Sequence, residues 1–280
     1  DMQVVTSINC FYDAAFRAPV EEQITRLYDA GFRALDMNFW DWCHDPQSPF
    51  VAEGWQDWMG RIADTAARLN IKFVQAHAHV YNFYREPDAL DKYELLRRSL
   101  EGAAMLNIPW VVFHPSRMPE MSEDETIKGN VEYFKPFVKL AEELHTGIAL
   151  ENMSREDHGF IYGRQLARLI DELDSPAVGA CWDTGHAHLA GVNQTENLRA
   201  LGGRLKALHV QDSDGRTDQH TAPFFGTIDW DEMMGALKEI GYPGPFTFEA
   251  HNIVRRVPES CRATAAKLLY EIGVALAGDR

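Results

Sequence analysis

The chain has 280 residues, of which 45% are hydrophobic, so it is long enough to bury a substantial core. Its formal net charge of −15 argues against nucleic acid as the main partner, because an acidic surface repels phosphates and no dense run of Lys or Arg is present. No apolar run approaches the ~20 residues needed to cross a bilayer, so we expect neither a membrane span nor a membrane partner.

Short apolar runs rich in β-branched residues alternate with longer amphipathic runs along the chain. The short runs predict eight strands: VVTSIN from Val4, ALDMN from Ala34, IKFVQAH from Ile71, WVVFH from Trp110, GIALE from Gly147, AVGACWD from Ala177, LKALHV from Leu205 and PFTFEA from Pro245. Helical patterns lie between them, in VEEQITRLYDAG, ADTAARLN, KYELLRRSLEGAAMLN, YFKPFVKLAEEL, RQLARLIDEL and DEMMGALKEIG. Gly31, Gly147 and Gly241 stand near helix-to-strand junctions, where we expect left-handed C-caps.

Eight strands separated by helices predict a parallel sheet that closes into a single (β/α)₈ TIM barrel. An open, doubly wound sheet is the structural alternative. No linker rich in Pro, Gly or Ser and no low-complexity tract interrupts the chain, so residues 1–280 are predicted to form one domain.

Residues that can bind metals or move protons stand at the ends of the predicted strands, where a TIM barrel places its active site. They are His77 and His79 at the third strand, His114 at the fourth, Glu151 at the fifth, Asp183 at the sixth, His209 at the seventh and Glu249 at the eighth. Taken singly, each has an ordinary explanation as a solvated loop carboxylate or a satisfied histidine. Together, carboxylates facing one barrel mouth repel each other, and a bound cation removes that repulsion. Three carboxylates and one imidazole predict one divalent ion, Mn²⁺ first, with Mg²⁺, Co²⁺ and Zn²⁺ as the alternatives.

Five segments at these strand ends carry a family resemblance. They are ALEN at Glu151, CWDTGH from Cys181 to His186, LHVQDSDGRTDQH from Leu208 to His220, GTIDW from Gly226 to Trp230, and FTFEA at Glu249. The chain resembles the xylose isomerase-like superfamily of TIM barrels over nearly its whole length. Within that superfamily it is most similar to the sugar phosphate isomerase/epimerase branch, which also contains the apurinic endonucleases.

The resemblance implies roles for individual residues. In the ketose epimerases of this superfamily, the metal ligands would correspond to Glu151, Asp183, His209 and Glu249, and the two glutamates would also be the acid/base pair. His186 would contact substrate oxygens, as would Arg216, at an offset that differs from that of the epimerases. In the endonuclease branch, which binds three zinc ions, the further ligands would be His79 or His77, His114, His186, Asp218 and His220.

Aromatic residues are concentrated in the predicted loops after the first three strands: Phe11, Tyr12, Phe39, Trp40, Trp42, Tyr81, Phe83 and Tyr84. Aromatic faces pack well on the C–H face of a sugar and exclude water, so we expect a small, buried ligand. The alternative is that they cap the barrel core or fill a subunit contact in a homo-oligomer. The predicted substrate-binding residues are His186, Arg216, His79, His114, His220 and Trp40.

The combined pattern predicts a metal-dependent isomerase or epimerase that moves a proton next to the carbonyl of a small ketose or related keto-polyol. A lyase or dehydratase acting on a keto-inositol or a 3-keto sugar would use the same metal and base. A zinc-dependent apurinic endonuclease is disfavoured by the acidic charge, and a non-catalytic binding barrel by the presence of both glutamates. The scattered Cys10, Cys43, Cys181 and Cys261 and the lack of signal-peptide features predict reduced thiols in a cytoplasmic protein.

Overall fold

A computed structural model of the protein describes residues 2–15 and 17–278. It contains eight parallel strands: β1 Val4–Ser7, β2 Ala34–Asn38, β3 Lys72–His77, β4 Trp110–Phe113, β5 Gly147–Glu151, β6 Val178–Asp183, β7 Leu205–His209 and β8 Phe246–Phe248. Each strand pairs with its neighbours in chain order, and β8 pairs with β1. All eight predicted strands are confirmed, and their predicted first residues differ from the observed ones by at most one position.

The remaining seam of the barrel, between β7 and β8, closes just past the end of β7. Val210 bridges to Phe248; its N–H donates to the carbonyl of Thr247 (2.8 Å), and the Glu249 N–H donates to the Val210 carbonyl (3.0 Å). The predicted (β/α)₈ TIM barrel is therefore confirmed. The doubly wound alternative is wrong, because such a sheet would leave two edge strands without a partner.

The described part of the chain has ten α-helices: α1 Val20–Ala30, α2 Trp55–Leu69, α3 Leu90–Met105, α4 Glu123–Glu143, α5 Gly163–Leu173, α6 Thr184–Ala190, α7 Gln194–Leu201, α8 Trp230–Glu239, α9 Asn252–Arg255 and α10 Glu259–Ala277. The six predicted helical patterns correspond to α1, α2, α3, α4, α5 and α8. Helices α6, α7 and α9 have only 7, 8 and 4 residues, too few for a clear apolar period. Helix α10 was not predicted either; many of its residues are alanines, which give little amphipathic contrast.

The three glycines expected to cap helices divide into two cases. Gly31 (φ 120°) ends α1 and Gly241 (φ 65°) follows α8, both with the positive φ that favours glycine. Gly147 instead lies inside β5, and the left-handed residue at that junction is His145 (φ 57°), so the predicted cap at Gly147 is wrong. A Cβ atom at Gly147 would lie 2.4 Å from the Trp110 ring, so close packing between β4 and β5 is the reason for glycine there.

The inside of the barrel is narrow and partly polar. The inward-facing apolar residues of β4 to β7 are small: Val112, Ala149, Cys181 and Ala207, all fully buried and separate from the large core between strands and helices. This leaves room for Gln75 of β3, whose Nε2 donates to the carbonyl of Leu208 at 3.1 Å across the barrel. The small residues in the middle allow larger polar side chains to fill the C-terminal end.

Two predictions about the environment of the chain can be compared with the structure. No helix within the described residues has the length and apolar character needed to cross a membrane. All four cysteines are free thiols, as expected; Cys261 is exposed, whereas Cys10, Cys43 and Cys181 are buried. Burial raises the pKa of the Cys10 thiol to about 11. It therefore stays protonated at neutral pH.

Candidate metal centre and active site

Four residues from consecutive strands converge at the C-terminal mouth of the barrel. Glu151, Asp183 and His209 are the last residues of β5, β6 and β7, and Glu249 directly follows β8. One ligand atom from each of the four lies within 4.8 Å of the others, and all four side chains are buried. Strand ends of a barrel meet at one mouth, and the alternation of side chains along each strand turns these four inward.

The contacts within this cluster are short enough for a shared ion. The Nδ1 atom of His209 lies 3.0 Å from Oε1 of Glu151 and 3.6 Å from Oε2 of Glu249. Asp183 is held by neighbours on its other side, because the His186 N–H donates to its Oδ1 at 2.7 Å and Gln211 Nε2 lies 3.2–3.3 Å from both its oxygens. These contacts fix the carboxylate before any ligand binds.

Electrostatics indicate that the cluster suits a cation. Burial raises the pKa of Asp183 to about 7, and the nearby charges of Glu151 and Glu249 add to that effect. Burial also raises the pKa of Glu151. The positive charges of His209 and His114 together have a larger, opposite effect and hold the pKa of Glu151 well below its usual range. The three buried carboxylates repel one another, so ionising all three without a cation is unfavourable. A divalent ion favours the ionised form of all three, and the oxygen-rich donor set fits one.

Two further histidines lie against Glu151. Its Oε2 is 2.7 Å from Nε2 of His114 and 3.6 Å from Nε2 of His77. His77, Glu151 and His209 also form a second group whose ligand atoms lie within 4.8 Å of one another. The His77 ring is oriented by its Nδ1, which lies 2.8 Å from the Ala78 carbonyl, so Nε2 faces the cluster.

A third group surrounds Asp218, in the loop after β7. Its Oδ2 is 3.1 Å from Nε2 of His220 and 3.7 Å from Nε2 of His186. Gln211 connects this group to the first, because its Nε2 also lies 3.1 Å from Oδ1 of Asp218. Burial would lower the pKa of His220, but its contact with Asp218 and the charge of Glu249 raise it to about 9.

A cavity of about 500 Å³ opens above these residues. The predicted site residues His114, His186, His220 and Trp40 line it, together with Glu151, Glu249, His77 and Asp218. On its other side, it is lined by residues that the sequence did not single out: Asn9, Asn38, Asp41, His251 and Arg255. The volume is within the range of small-molecule sites.

The structure does not bring two predicted substrate-binding residues to this cavity. Arg216 is exposed in the loop after β7, where its N–H donates to Asp214, and the arginine that lines the cavity is Arg255. His79 lies two residues past the end of β3 and lines a neighbouring cavity of about 500 Å³ beside α3, whereas His77 faces Glu151 and Glu249. The reason is local: the chain leaves the barrel at Ala78, and the strand alternation no longer sets the direction of a side chain.

The aromatic residues after the first three strands mostly serve the core. Four of them are buried within the large hydrophobic core: Phe11, Phe39, Trp42 and Phe83. For these four, the alternative given above, that they cap the barrel core and do not contact a sugar, describes what is observed. Trp40, 38% exposed, is the member of the set that lines the cavity. A cue for the missed polar residues exists in the sequence. Asn9 and Asp41 follow the first two strands by only two or three positions and therefore lie close to the C-terminal mouth of the barrel.

Comparison with known proteins identifies relatives of the chain. Residues 24–269 match the model of the family described as xylose isomerase-like TIM barrel. An uncharacterized protein of Methanocaldococcus jannaschii is 34% identical over 167 residues, and the match spans only 57% of either protein. A probable endonuclease 4 of Mycobacterium tuberculosis is 28% identical over 203 residues, 67% of this chain and 79% of that protein.

Solved structures show the same fold at low sequence identity. A D-tagatose 3-epimerase-like protein superimposes with a TM-score of 0.76 at 21% identity, covering 99% of both chains. The IOLI protein with a bound zinc atom superimposes with a TM-score of 0.79 at 18% identity, covering 99% of this chain and 98% of that one. At these identities, the agreement concerns the barrel as a whole.

Proposed function

This chain belongs to the xylose isomerase-like TIM barrel family, and from that premise we propose that it is a metal-dependent isomerase or epimerase of a small ketose or related keto-polyol. The observation that carries the proposal is the pair Glu151 and Glu249, two buried carboxylates on either side of His209 at the floor of a cavity of sugar-binding size. A D-tagatose 3-epimerase-like protein and a D-psicose 3-epimerase are among the structural neighbours, which supports the same substrate class.

We assign the metal to Glu151, Asp183, His209 and Glu249. When bound there, a divalent ion such as Mn²⁺ would polarise a carbonyl and stabilise negative charge on the neighbouring oxygens. Asp183 is assigned only to holding the ion, because hydrogen bonds from His186 and Gln211 fix its carboxylate and it does not line the cavity as Glu151 and Glu249 do.

The proton transfers are assigned to the two glutamates. One carboxylate takes the proton from the carbon next to the substrate carbonyl, which leaves an enediolate, and the other returns a proton to the opposite face or to the adjacent carbon. Glu151 is oriented by His114 at 2.7 Å and His209 at 3.0 Å, and Glu249 lies 3.6 Å from both His209 and His220. Glu151 is therefore held by hydrogen bonds, whereas Glu249 lies between two imidazoles without a direct hydrogen bond to either.

Histidines around the cavity are assigned to the substrate oxygens. His186 has its Nδ1 2.9 Å from the Asn152 carbonyl, so Nε2 remains toward Asp218 and the cavity. His114 and His220 are placed around the same space. If the enediolate instead loses a substituent from the next carbon, the same groups serve a lyase acting on a keto-inositol or 3-keto sugar.

The test is proton exchange in deuterated water. A panel of ketoses, keto-inositols and 3-keto glycosides is incubated with Mn²⁺-loaded protein, and the sugars are analysed by NMR after removal of protein and metal. We expect deuterium at the carbon next to the carbonyl, with rates about 10²–10⁴-fold lower for Glu151→Gln and Glu249→Gln. The exposed Glu53→Gln is the matched control and should exchange like the wild type.

Each outcome of the panel decides one point. Exchange without loss of water indicates an isomerase or epimerase, and a new enone or a released leaving group indicates a lyase. If Glu151→Gln and Glu249→Gln both exchange deuterium at the wild-type rate, the assignment of these two residues as acid and base is wrong. If no sugar exchanges at all, the proposal fails.

A zinc-dependent apurinic endonuclease is a second candidate, favoured by one observation. Besides the first cluster, the structure brings His77 and His114 to Glu151, and His186 and His220 to Asp218, which are donors of the kind that zinc takes. The match to probable endonuclease 4 agrees with this, whereas the net charge of −15 opposes DNA binding. Three zinc ions per chain together with cleavage of abasic DNA would establish it. One metal ion per chain and no cleavage would exclude it.

A further inference from the structure

One wall of the cavity has no role in the proposed proton transfers. It is formed by Asn9 and Asp41, in the short 3₁₀ helices after β1 and β2, and by His251 and Arg255 at α9. Around the eight-stranded barrel, β1 and β2 lie opposite β5 and β6, so Asn9 and Asp41 face Glu151 and Asp183 across the mouth. His251 and Arg255 follow β8, which is next to β1, and complete this wall from the neighbouring side.

The backbone of Asp41 is fixed in this wall by two hydrogen bonds. The Asn38 side chain accepts a hydrogen bond from its N–H (3.1 Å), and its carbonyl accepts one from the Tyr12 hydroxyl (2.9 Å). The residue is only 7% exposed, yet its Oδ2 has no hydrogen-bond partner among the described residues. A buried carboxylate oxygen without a donor is costly, so a group that donates to it is expected in the complex.

Asn9 shows the same deficiency beside it. Its Nδ2 lies 3.2 Å from Nδ1 of His251, whereas its Oδ1 is buried with no partner among the described residues. Two acceptors on one cavity wall therefore lack donors. A ligand with hydroxyl groups would supply them.

Arg255 provides the complementary group. It is half-buried, lines the cavity, and no carboxylate of the described residues comes within 4.0 Å of its guanidinium. Its backbone is held on α9, where its N–H donates to the His251 carbonyl at 2.9 Å. Helix α9 is in turn fixed to the loop that carries His220, because Asn252 Nδ2 donates to the Gln219 carbonyl at 2.9 Å. The positive charge is thus presented to the cavity by a fixed element.

Asp41 and Arg255 carry opposite charges, line the same cavity and do not touch. A hydroxyl group is both a donor and an acceptor, so one placed between them can donate to Asp41 and accept from Arg255. We propose that Asp41 and Arg255 together bind a hydroxyl group at the end of the substrate farthest from the reacting carbon. This deepens, and rests on, the proposed function, because it assumes that the reacting carbon lies at the metal cluster.

The proposal defines the substrate class further. A substrate that spans the mouth needs several hydroxylated carbons, so five- and six-carbon ketoses or keto-polyols should be preferred to three-carbon ones. The distal end should also be uncharged. A phosphate dianion there has no hydrogen to donate to the Asp41 carboxylate and repels it, while the single positive charge of Arg255 is already balanced by Asp41.

Binding of polyols that cannot react tests this wall separately from the chemistry. D-glucitol, glycerol and D-glucitol 6-phosphate are titrated calorimetrically into Mn²⁺-loaded protein. We expect D-glucitol to bind at least tenfold tighter than the other two. Arg255→Met should reduce the affinity for D-glucitol about 10- to 100-fold, the usual effect of losing a hydrogen bond to a charged group, and leave glycerol binding unchanged.

One control and one second test variant accompany Arg255→Met. Arg256→Met removes the exposed neighbouring arginine of the same helix end and should bind D-glucitol like the wild type. Asp41→Asn keeps the shape of the buried side chain and should weaken D-glucitol binding as Arg255→Met does. Denaturant unfolding of each variant establishes that it is folded.

The outcomes separate the two proposals. Equal affinity for D-glucitol and glycerol in the wild type, or equal losses in the Arg255 and Arg256 variants, overturns the distal hydroxyl site even if sugars exchange deuterium. Selective loss in the Arg255 and Asp41 variants supports the site even if no sugar in the panel exchanges. In that case, the proposed reaction is wrong, but the proposed distal hydroxyl site is supported.

Discussion

At the scale of single residues, Asp41 connects recognition with stability. Burial raises the pKa of its carboxyl to about 6, with Glu249 acting in the same direction and Arg255, Asn9 and His77 opposing the shift. Its ordinary value is 3.8, so the folded protein disfavours the ionised form. Protonated Asp41 therefore contributes to the free energy of unfolding. This contribution is fully present below pH 3.8 and is lost as the pH rises through about 6.

This predicts the behaviour of Asp41→Asn, which is neutral at every pH. At pH 7.5 the variant should be more stable than the wild type by roughly 3 kcal/mol, because two pKa units correspond to about that free energy. Near pH 4 the advantage should nearly disappear. Urea unfolding of both proteins at the two pH values measures this, and an advantage that does not change with pH would contradict it. A gain in stability with a loss of polyol binding is the trade-off expected at a binding residue.

At the scale of elements, the loop between β7 and α8 carries Asp218 and His220 to the site. Asp212, which is fully buried, anchors it: Oδ1 accepts from the N–H groups of Ser213 (2.8 Å) and Ile228 (3.1 Å). Its Oδ2 accepts from the Phe224 N–H (3.0 Å) and from the Trp230 indole (2.8 Å). The GTIDW segment thus matters because it closes this loop onto one carboxylate.

Gly226 packs against this anchor, and a matched pair of glycines tests the packing. A Cβ atom at Gly226 would lie 2.2 Å from Oδ1 of Asp212 and 2.3 Å from the Ser213 carbonyl, whereas a Cβ atom at Gly235 in α8 meets nothing within 4 Å. Gly226→Ala should destabilise the protein by at least about 2 kcal/mol, because backbone cannot move aside easily. Gly235→Ala should stabilise it by about 0.5–1 kcal/mol through helix propensity.

Denaturant unfolding gives both values, and proton exchange shows the functional side. Because the Gly226 change moves the loop of Asp218 and His220, we expect it to slow exchange, whereas Gly235→Ala should not. Equal stability of the two alanine variants would mean that the loop can relax around the added methyl group.

At the scale of the whole molecule, the four proposed metal ligands, Glu151, Asp183, His209 and Glu249, lie on four consecutive strands across the closing seam of the barrel. An ion that binds only the folded chain stabilises it by about 2.7 kcal/mol at a concentration one hundred times its Kd. For a chain of this size each kcal/mol corresponds to about 2–4 °C in Tm. We therefore expect EDTA to lower the Tm of Mn²⁺-loaded protein by at least about 5 °C.

His209→Ala is the matched variant for this measurement. Removal of one of four ligands should abolish both the bound metal, measured by elemental analysis, and most of the EDTA-dependent Tm shift. Metal content equal to that of the wild type would remove His209 from the ligand set. The comparison uses the shift within each protein, so a general loss of stability in the variant does not affect it.

Much of the barrel was predictable from local patterns. Each strand is a short β-branched run between turn residues, and the rhythm of strand and helix leaves few ways to build a parallel sheet. The positions of Glu151, Asp183, His209 and Glu249 were also predictable, because the alternation of side chains holds up to the last residue of a strand. In every TIM barrel, the C-terminal ends of the strands meet at one mouth, so these four residues must lie close together.

Beyond the strand ends, only the tertiary structure decided which residues reach the cavity. His77 faces the cluster and His79 does not; Arg255 lines the cavity and Arg216 does not. Asn9 and Asp41 come from separate loops and share a cavity wall with His251 and Arg255 only because β8 pairs with β1. In loops, no fixed period sets the direction of a side chain, and contacts between residues 9 and 251 depend on closure of the whole barrel. The sequence by itself therefore determined the barrel and the positions of its metal-type residues, while the wall that would select the substrate depended on long-range packing.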